Sequence, residues 1–287
     1  MLIESETDAL LQTVNEQITL HTFDPHNHQL LKRMVESLGD SRGMVRLGFA
    51  EALGEIGEPA TPFLLESLAH HPNPVVRRAC AKTLTLIADP TAIPTLINAL
   101  LNDDDTVVKG SSVGALAKMG EAAVPPLLEI LGSPEYPESA KGHAAWALAF
   151  IGAEAKELLY TTITSDLAEV RSAVVGAIAK VAQEQPEDRA FNLLLDALSD
   201  PTEMVRSEAA AALGQLAYQP AIPNLVQLLH HADWESRKAA ALALMKIGDH
   251  TALEPLQTAL TQESEAAVQQ VLKLAISQIE KQLAEGQ

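Results

Sequence analysis

A basic residue recurs along the chain at nearly constant spacing: Arg46, Arg77, Lys109, Lys141, Arg171, Arg206 and Arg237, in steps of 31, 32, 32, 30, 35 and 31 residues. Seven positions after each anchor stands Leu53, Leu84, Leu116, Leu148, Ile178, Leu213 or Leu244. Ten positions after it stands Ile56, Ile87, Met119, Ile151, Val181, Leu216 or Ile247. The next residue is always Gly or Ala: Gly57, Ala88, Gly120, Gly152, Ala182, Ala217 and Gly248. Self-similarity at a period of this size marks an array of one small unit rather than an ordinary domain. A unit that short cannot bury a core alone, so successive units must stack.

The apolar or Ala positions at anchor +4, +7 and +10 share one face of a helix, and Gly or Ala at +11 predicts where that helix ends. The segments AIPTLINAL (92–100), AVPPLLEIL (123–131) and AIPNLVQLL (221–229) predict a second helix. Pro fits its first turn, where an N–H would lack an intrahelical partner anyway. The clusters NDDD (102–105), SDP (199–201) and ADW (232–234) predict N-caps for the next anchor helix. The composition agrees: 47% of residues are hydrophobic but only 3% aromatic, and Ala and Leu dominate. These are the strongest helix formers.

The pattern D-x-x-V-R-x-x-A-x-x-A-L-G-x-I-G resembles HEAT repeats from about residue 26 to 262. The predicted fold is therefore all-α, an α-solenoid (superhelix) of about seven HEAT-like helical hairpins with helical end caps. One solenoid domain is expected over 1–287, with an N-terminal cap helix in 1–24, repeats in 25–262 and a C-terminal cap helix in 263–287. HTFDPHNH (21–28) is the expected turn after the first helix. The HEAT resemblance implies that the anchor helix is the second of each hairpin and lines a concave surface.

Charge and motifs exclude several function classes. With 20 basic against 38 acidic residues the formal charge is −18, a surface that repels a phosphate backbone, so nucleic acid is not an expected partner. The single Cys80 allows no internal disulfide or multi-cysteine metal site and suits a reducing cytoplasm. At +3 it is expected to be a buried small hydrophobe. MLIESETDALLQ lacks a basic start and an apolar core, so no secretory signal is expected. No stretch nears the roughly 20 apolar residues of a membrane span. His70–His71 and His230–His231 fall at the ends of second helices and read as helix-end caps rather than metal ligands. HExxH, Walker A and GxGxxG motifs are all missing.

Positions +1, +2, +5 and +9 should face the concavity. The first three give Leu47, Gly48 and Glu51, then Arg78, Ala79 and Lys82, then Gly110, Ser111 and Gly114, then Gly142, His143 and Trp146. The later repeats give Ser172, Ala173 and Gly176, then Ser207, Glu208 and Ala211, then Lys238, Ala239 and Leu242. Gly within a helix costs about 1 kcal/mol against Ala, so this cluster asks for a reason. Two are open: close approach of a ligand or partner, or close helix packing. Trp146 is either part of a site or a plug beneath the SPEYPES connection (133–139). The anchor cations read as a ladder to Asp or Asn across repeats. Arg78 and Lys82, outside that register, and Lys141 beside His143 are candidates to meet a partner's carboxylates.

VVKGSSVGALAKMGEAAVPPLLEIL (107–131) and SAKGHAAWALAFIG (139–152) resemble the HEAT-like repeats of the phycobilisome lyase family, the E/F-type phycobilin lyases and their relatives in phycobilisome degradation. The chain lacks the tyrosine-rich A-R-Y-Y-A-A-W-W type of stretch of the E subunits, which points to the degradation-type or a divergent branch. The resemblance implies a phycobiliprotein subunit as partner in the concave groove and a phycobilin as ligand, with no cofactor bound covalently to this chain. Gly110, Gly114 and Gly142 would let a flat tetrapyrrole lie close. Trp146 would stack on a ring, and Lys109, Lys141 or Arg171 would pair with propionates. His143 is the candidate proton donor, since imidazole exchanges a proton near neutral pH. The reaction would add or remove a thioether-linked bilin, and the thiol would belong to the phycobiliprotein. A second reading stays open: a non-catalytic scaffold, including an adaptor for iron–sulfur assembly whose partner supplies the thiolates.

Overall fold

Every expected hairpin is present in the computed structural model, which describes residues 4–285. Helix α1 (Glu4–Thr19) precedes the array. The hairpins are α2 (His28–Ser37) with α3 (Gly43–Ile56), α4 (Thr61–His70) with α5 (Pro74–Ile87), α6 (Ile93–Asn102) with α7 (Thr106–Lys118), and α8 (Val124–Gly132) with α9 (Glu138–Ile151). They continue as α10 (Lys156–Thr162) with α11 (Ala168–Glu184), α12 (Asp188–Ala197) with α13 (Glu203–Gln215), and α14 (Ile222–Leu228) with α15 (Trp234–Ile247). Helices α16 (Leu253–Gln262) and α17 (Ala266–Glu285) follow. No strand occurs among the described residues. The outermost residues of both expected caps, 1–3 and 286–287, lie outside them.

The +11 position ends the anchor helix through its backbone. Gly57, Ala88, Gly120, Gly152, Ala217 and Gly248 all have positive φ, between 44° and 77°. Ala88 and Gly248 take the left-handed conformation that closes a helix C-terminus, while Gly57 turns the chain at ψ −141°. Ala182 departs from the expectation. Helix α11 runs past it to Glu184, where Gln185 takes φ −135° and ψ 80°. Pro186 is the reason, because the residue before a proline is driven out of the helical region. The overrun accounts for part of the 35-residue step in that repeat.

Two of the three expected caps hold. Asp105 accepts the N–H groups of Val107 and Val108, both at 2.9 Å, and Asp233 accepts that of Ser236 at 2.7 Å. Asp200 does not cap α13. It accepts Thr202 N–H at 2.8 Å in the turn before the helix and serves a guanidinium instead. At the first turn, Asn27 caps α2 through Leu30 N–H.

The buried face of the anchor helices is wider than +4, +7 and +10. In α7 it comprises Ser112, Val113, Ala115 and Leu116, and in α11 Val174, Val175, Ala177 and Ile178, the offsets +3, +4, +6 and +7. At +10, Met119, Ile151 and Val181 are buried while Ile56, Ile87 and Ile247 are only half so. An anchor helix packs on its hairpin partner and on the like helices beside it, so its apolar stripe must broaden. Small residues serve the second contact. A Cβ on Gly214 would come within 2.8 Å of Ala243 Cα, so α13 and α15 nearly touch there.

By its contacts the chain divides into two units, Met1–Ala147 and Leu148–Gln287. In the first, α3 packs on α1 and α5, and α5 on α7. In the second, α11, α13, α15 and α17 pack in sequence. Four of the five anchor arginines bolt repeats together as expected, while Arg46, among the described residues, reaches only Asp40 O and Ser41 O in the turn before its own helix. Arg77 forks onto Asp103 at 2.8 and 2.9 Å and donates back to His71 O at 2.9 Å. Arg171 does the same with Asp200 and Ser165 O, and Arg237 with Glu263 and His231 O. Arg206 reaches Asp233, Ser236 and Asp200 O. Such two-pronged charge-assisted bonds fix geometry as well as contributing energy.

Candidate functional site

Beyond Arg46, the ladder also lapses at both lysine anchors. Lys109 Nζ donates to Leu101 O in the turn before its own helix, at 3.2 Å. Lys141 Nζ lies 3.6 Å from Glu138, one turn back on α9. Neither reaches a carboxylate of the following repeat among the described residues. An ammonium offers no fork, so one lysine cannot serve the turn behind and the acid ahead as arginine does. The α6–α7 repeat is thus strutted to the repeat before it through Asp103 and Asp105, while its own anchor lysine extends no such strut to the repeat after it.

The two lysine-anchored repeats carry the glycines. A Cβ added to Gly110, Gly114 or Gly142 would meet nothing within 4 Å. Close helix packing, one of the two explanations open from the sequence, is thus excluded for these three. Other glycines show what packing looks like: a Cβ added to Gly48 would fall 2.8 Å from the Leu11 side chain, and one added to Gly176 would fall 3.0 Å from Glu208 Oε1. On α7 the open face runs Gly110, Gly114, Lys118, one turn apart each. Lys118 is exposed.

Helix α9 presents the aromatic counterpart. Trp146 is 47% exposed, so it does not plug a void beneath the 133–139 connection. His143, half-buried, precedes it by three residues on the same face. Phe150, one turn beyond Trp146, is 58% exposed. Phe150 and Lys118 both occupy offset +9, the concave position whose residues the sequence reading did not extract. That offset was the signal that would have found them.

The remaining candidates separate. Arg171 is a strut: its guanidinium bonds Asp200, Thr202 and the carbonyls of Ser165 and Asp166, which leaves it unsuited to propionates. Arg78, a candidate for a partner's carboxylates, forks instead onto Asp105 of this chain at 3.1 and 2.7 Å. That guanidinium holds the Asp105 carboxyl down at about 2. Lys82, at +5 of α5, is exposed. Cys80 is fully buried, and burial pushes its thiol well above the ordinary value. His71 Nδ1 accepts Asn73 N–H at 3.0 Å, and His231 Nδ1 accepts Asp233 N–H at 3.2 Å. Both rings thus shape the turn into the next helix. Among the described residues no cluster of three or more His, Cys, Asp or Glu is placed to hold a metal, and no helix is long and apolar enough to cross a membrane.

The HEAT-repeat family model matches residues 61–140 and 191–277. Bilin biosynthesis protein MpeU of Synechococcus sp. (strain WH8020) is 37% identical over 98% of this chain and 95% of its own length. Phycocyanobilin lyase subunit alpha of Picosynechococcus sp. is 37% identical over 29% of this chain and 33% of its own. Among solved structures, karyopherin Kap121p superposes with a TM-score of 0.58 at 15% identity, over 97% of this chain and 38% of that one. It attests the solenoid fold alone. Both cyanobacterial relatives are named for bilins, one for bilin biosynthesis and one as a phycocyanobilin lyase subunit. The chain belongs to the HEAT-repeat, phycobilin lyase-like family.

Proposed function

We propose that the open faces of α7 and α9 receive a linear tetrapyrrole and that the protein adds a phycobilin to, or removes it from, a phycobiliprotein subunit. The observation that carries this reading is the trio of helical glycines with nothing above them. Each forgoes about 1 kcal/mol of helix stability, and none is needed for packing. A flat conjugated ligand lying against the helix backbone accounts for that sacrifice. Trp146 offers a ring to stack on, and Lys109 and Lys118 offer ammonium groups to the propionates. The 37% identity to a protein named for bilin biosynthesis supports the same ligand class.

In this reading His143 handles the proton. Attachment joins the partner's cysteine sulfur to a bilin side-chain carbon, and the thiol proton passes to the neighbouring carbon. Detachment reverses both steps, so one imidazole that gives and takes a proton serves either direction. The nucleophile is the partner's, in keeping with the burial of Cys80.

The test mixes the protein with free phycocyanobilin, and separately with phycocyanin, and follows visible absorbance and fluorescence. A spectral change is expected with wild type and its loss in Trp146→Ala and in Gly114→Leu, which fills the open face. His143→Ala should keep the change with free bilin while slowing bilin transfer at least tenfold. No change under either condition would dismiss the reading and leave a scaffold without a bilin site.

A further inference from the structure

A groove lies in the second unit, on helices other than α7 and α9. Between α13 and α15 it encloses about 320 Å³ and is floored by Ala211, Ala239 and Leu242. These positions are offsets +5, +2 and +5, the same helix faces that carry the glycines and Trp146 in the earlier repeats. Its charge is distributed end to end. Glu203 and Glu235, in the first turns of the two helices, line one end, and Lys246, in the last turn of α15, lines the other. Lys238 sits at the acidic end, but its Nζ lies over the Trp234 ring, 5.7 Å from the centroid. Two carboxylates there face one ammonium. Glu235 and Lys246 stand about 16 Å apart along the helix axis at 1.5 Å per residue.

We propose that this groove docks one amphipathic helix of a protein partner, with a basic residue at one end, aliphatic residues in the middle and a carboxylate some three turns away. The groove runs between two like helices, so a third helix can set its ridge of side chains into it. The small floor residues let that ridge sit deep, and the space suits a pair of aliphatic side chains. Charge complementarity at both ends selects the occupant and its direction. A second copy of this chain, itself at −18, is disfavoured by repulsion. The inference does not depend on the bilin reading, because the groove and the open faces of α7 and α9 share no residue.

The probe is a fluorescein-labelled, 16-residue helical peptide of zero net charge, with Arg near one end, Leu at two central positions four apart and Glu near the other end. Fluorescence anisotropy should show saturable binding to the full chain. Lys246→Glu makes both ends acidic, and the Glu203→Lys, Glu235→Lys pair makes both basic. Each is expected to weaken binding about fivefold, the scale of one or two exposed charge pairs. Combining all three inverts the groove, and the peptide, free to reverse, should bind again within twofold of wild type. Ala211→Trp, which fills the floor, should abolish binding. Absence of wild-type binding at millimolar peptide, an unaffected Lys246→Glu, or no recovery in the triple variant would overturn the proposal. Phycocyanobilin spectra of the same variants should match wild type, so failure of either inference is seen separately.

Discussion

Arg206 shows what one strut contributes. It is 5% exposed, and its guanidinium holds Asp233, Ser236 and the Asp200 carbonyl together. Arg206→Ala leaves a half-buried carboxylate without its cation, and urea denaturation should show a loss of about 3 kcal/mol. Arg206→Lys keeps the charge without the fork and should fall between. The Arg237–Glu263 strut adds a pH signature. The guanidinium holds the Glu263 carboxyl at about 2 against an ordinary 4.5. A depressed carboxylate stabilises fully above its unfolded value and loses that contribution as pH falls towards the folded one. The wild-type melting temperature should therefore drop between pH 4.5 and 2, and Glu263→Gln should show a shallower drop across that window. The main ladder was legible because its anchors repeat. The Arg78–Asp105 pair was not, since Asp105 already had a role as the cap of α7, and one carboxylate can serve both.

At the scale of the helix, glycines of equal appearance in sequence separate by what surrounds them. Gly110→Ala, Gly114→Ala and Gly142→Ala add a methyl to open space, so each should stabilise the fold by about 0.5–1 kcal/mol. Gly214→Ala should destabilise it, because its Cβ would fall 2.8 Å from the Ala243 backbone. Thermal melts of the four variants decide the matter, and a loss of stability in the first three would mean that those faces are packed. The helix ends offer the converse. Ala88 and Ala217 stand at φ 54° and 48°, a conformation costing an L-residue about 1–2 kcal/mol. Ala88→Gly and Ala217→Gly should each raise stability by up to about 1 kcal/mol. The +11 rule could be read from sequence because its cause is local backbone geometry. Burial at +6 could not, because it depends on which neighbouring helix approaches. Whether a glycine is covered is likewise a fact of tertiary packing, which is why Gly114 and Gly176, both at +5, looked alike.

For the whole molecule, periodicity told the architecture but not the division at Ala147, since the repeat runs through α9 without a change of spacing. Charge acts at the same scale. Of 20 basic residues, Arg77, Arg78, Arg171, Arg206 and Arg237 are engaged in cross-repeat struts, so the outer surface owes its field to an excess of carboxylates within a total of −18. Self-repulsion of that kind works against the folded state, and salt weakens it most between exposed charges farther apart than a Debye length, about 10 Å at 0.1 M. The strut pairs are in direct contact and half-buried, so the same salt affects them less. Raising sodium chloride from 10 to 150 mM should therefore increase the melting temperature by a few degrees, and Arg237→Ala should show the same increment from a lower start. A melting temperature that instead falls with salt would mean that the struts are screened like surface pairs and that they, not the excess carboxylates, dominate the electrostatics of the solenoid.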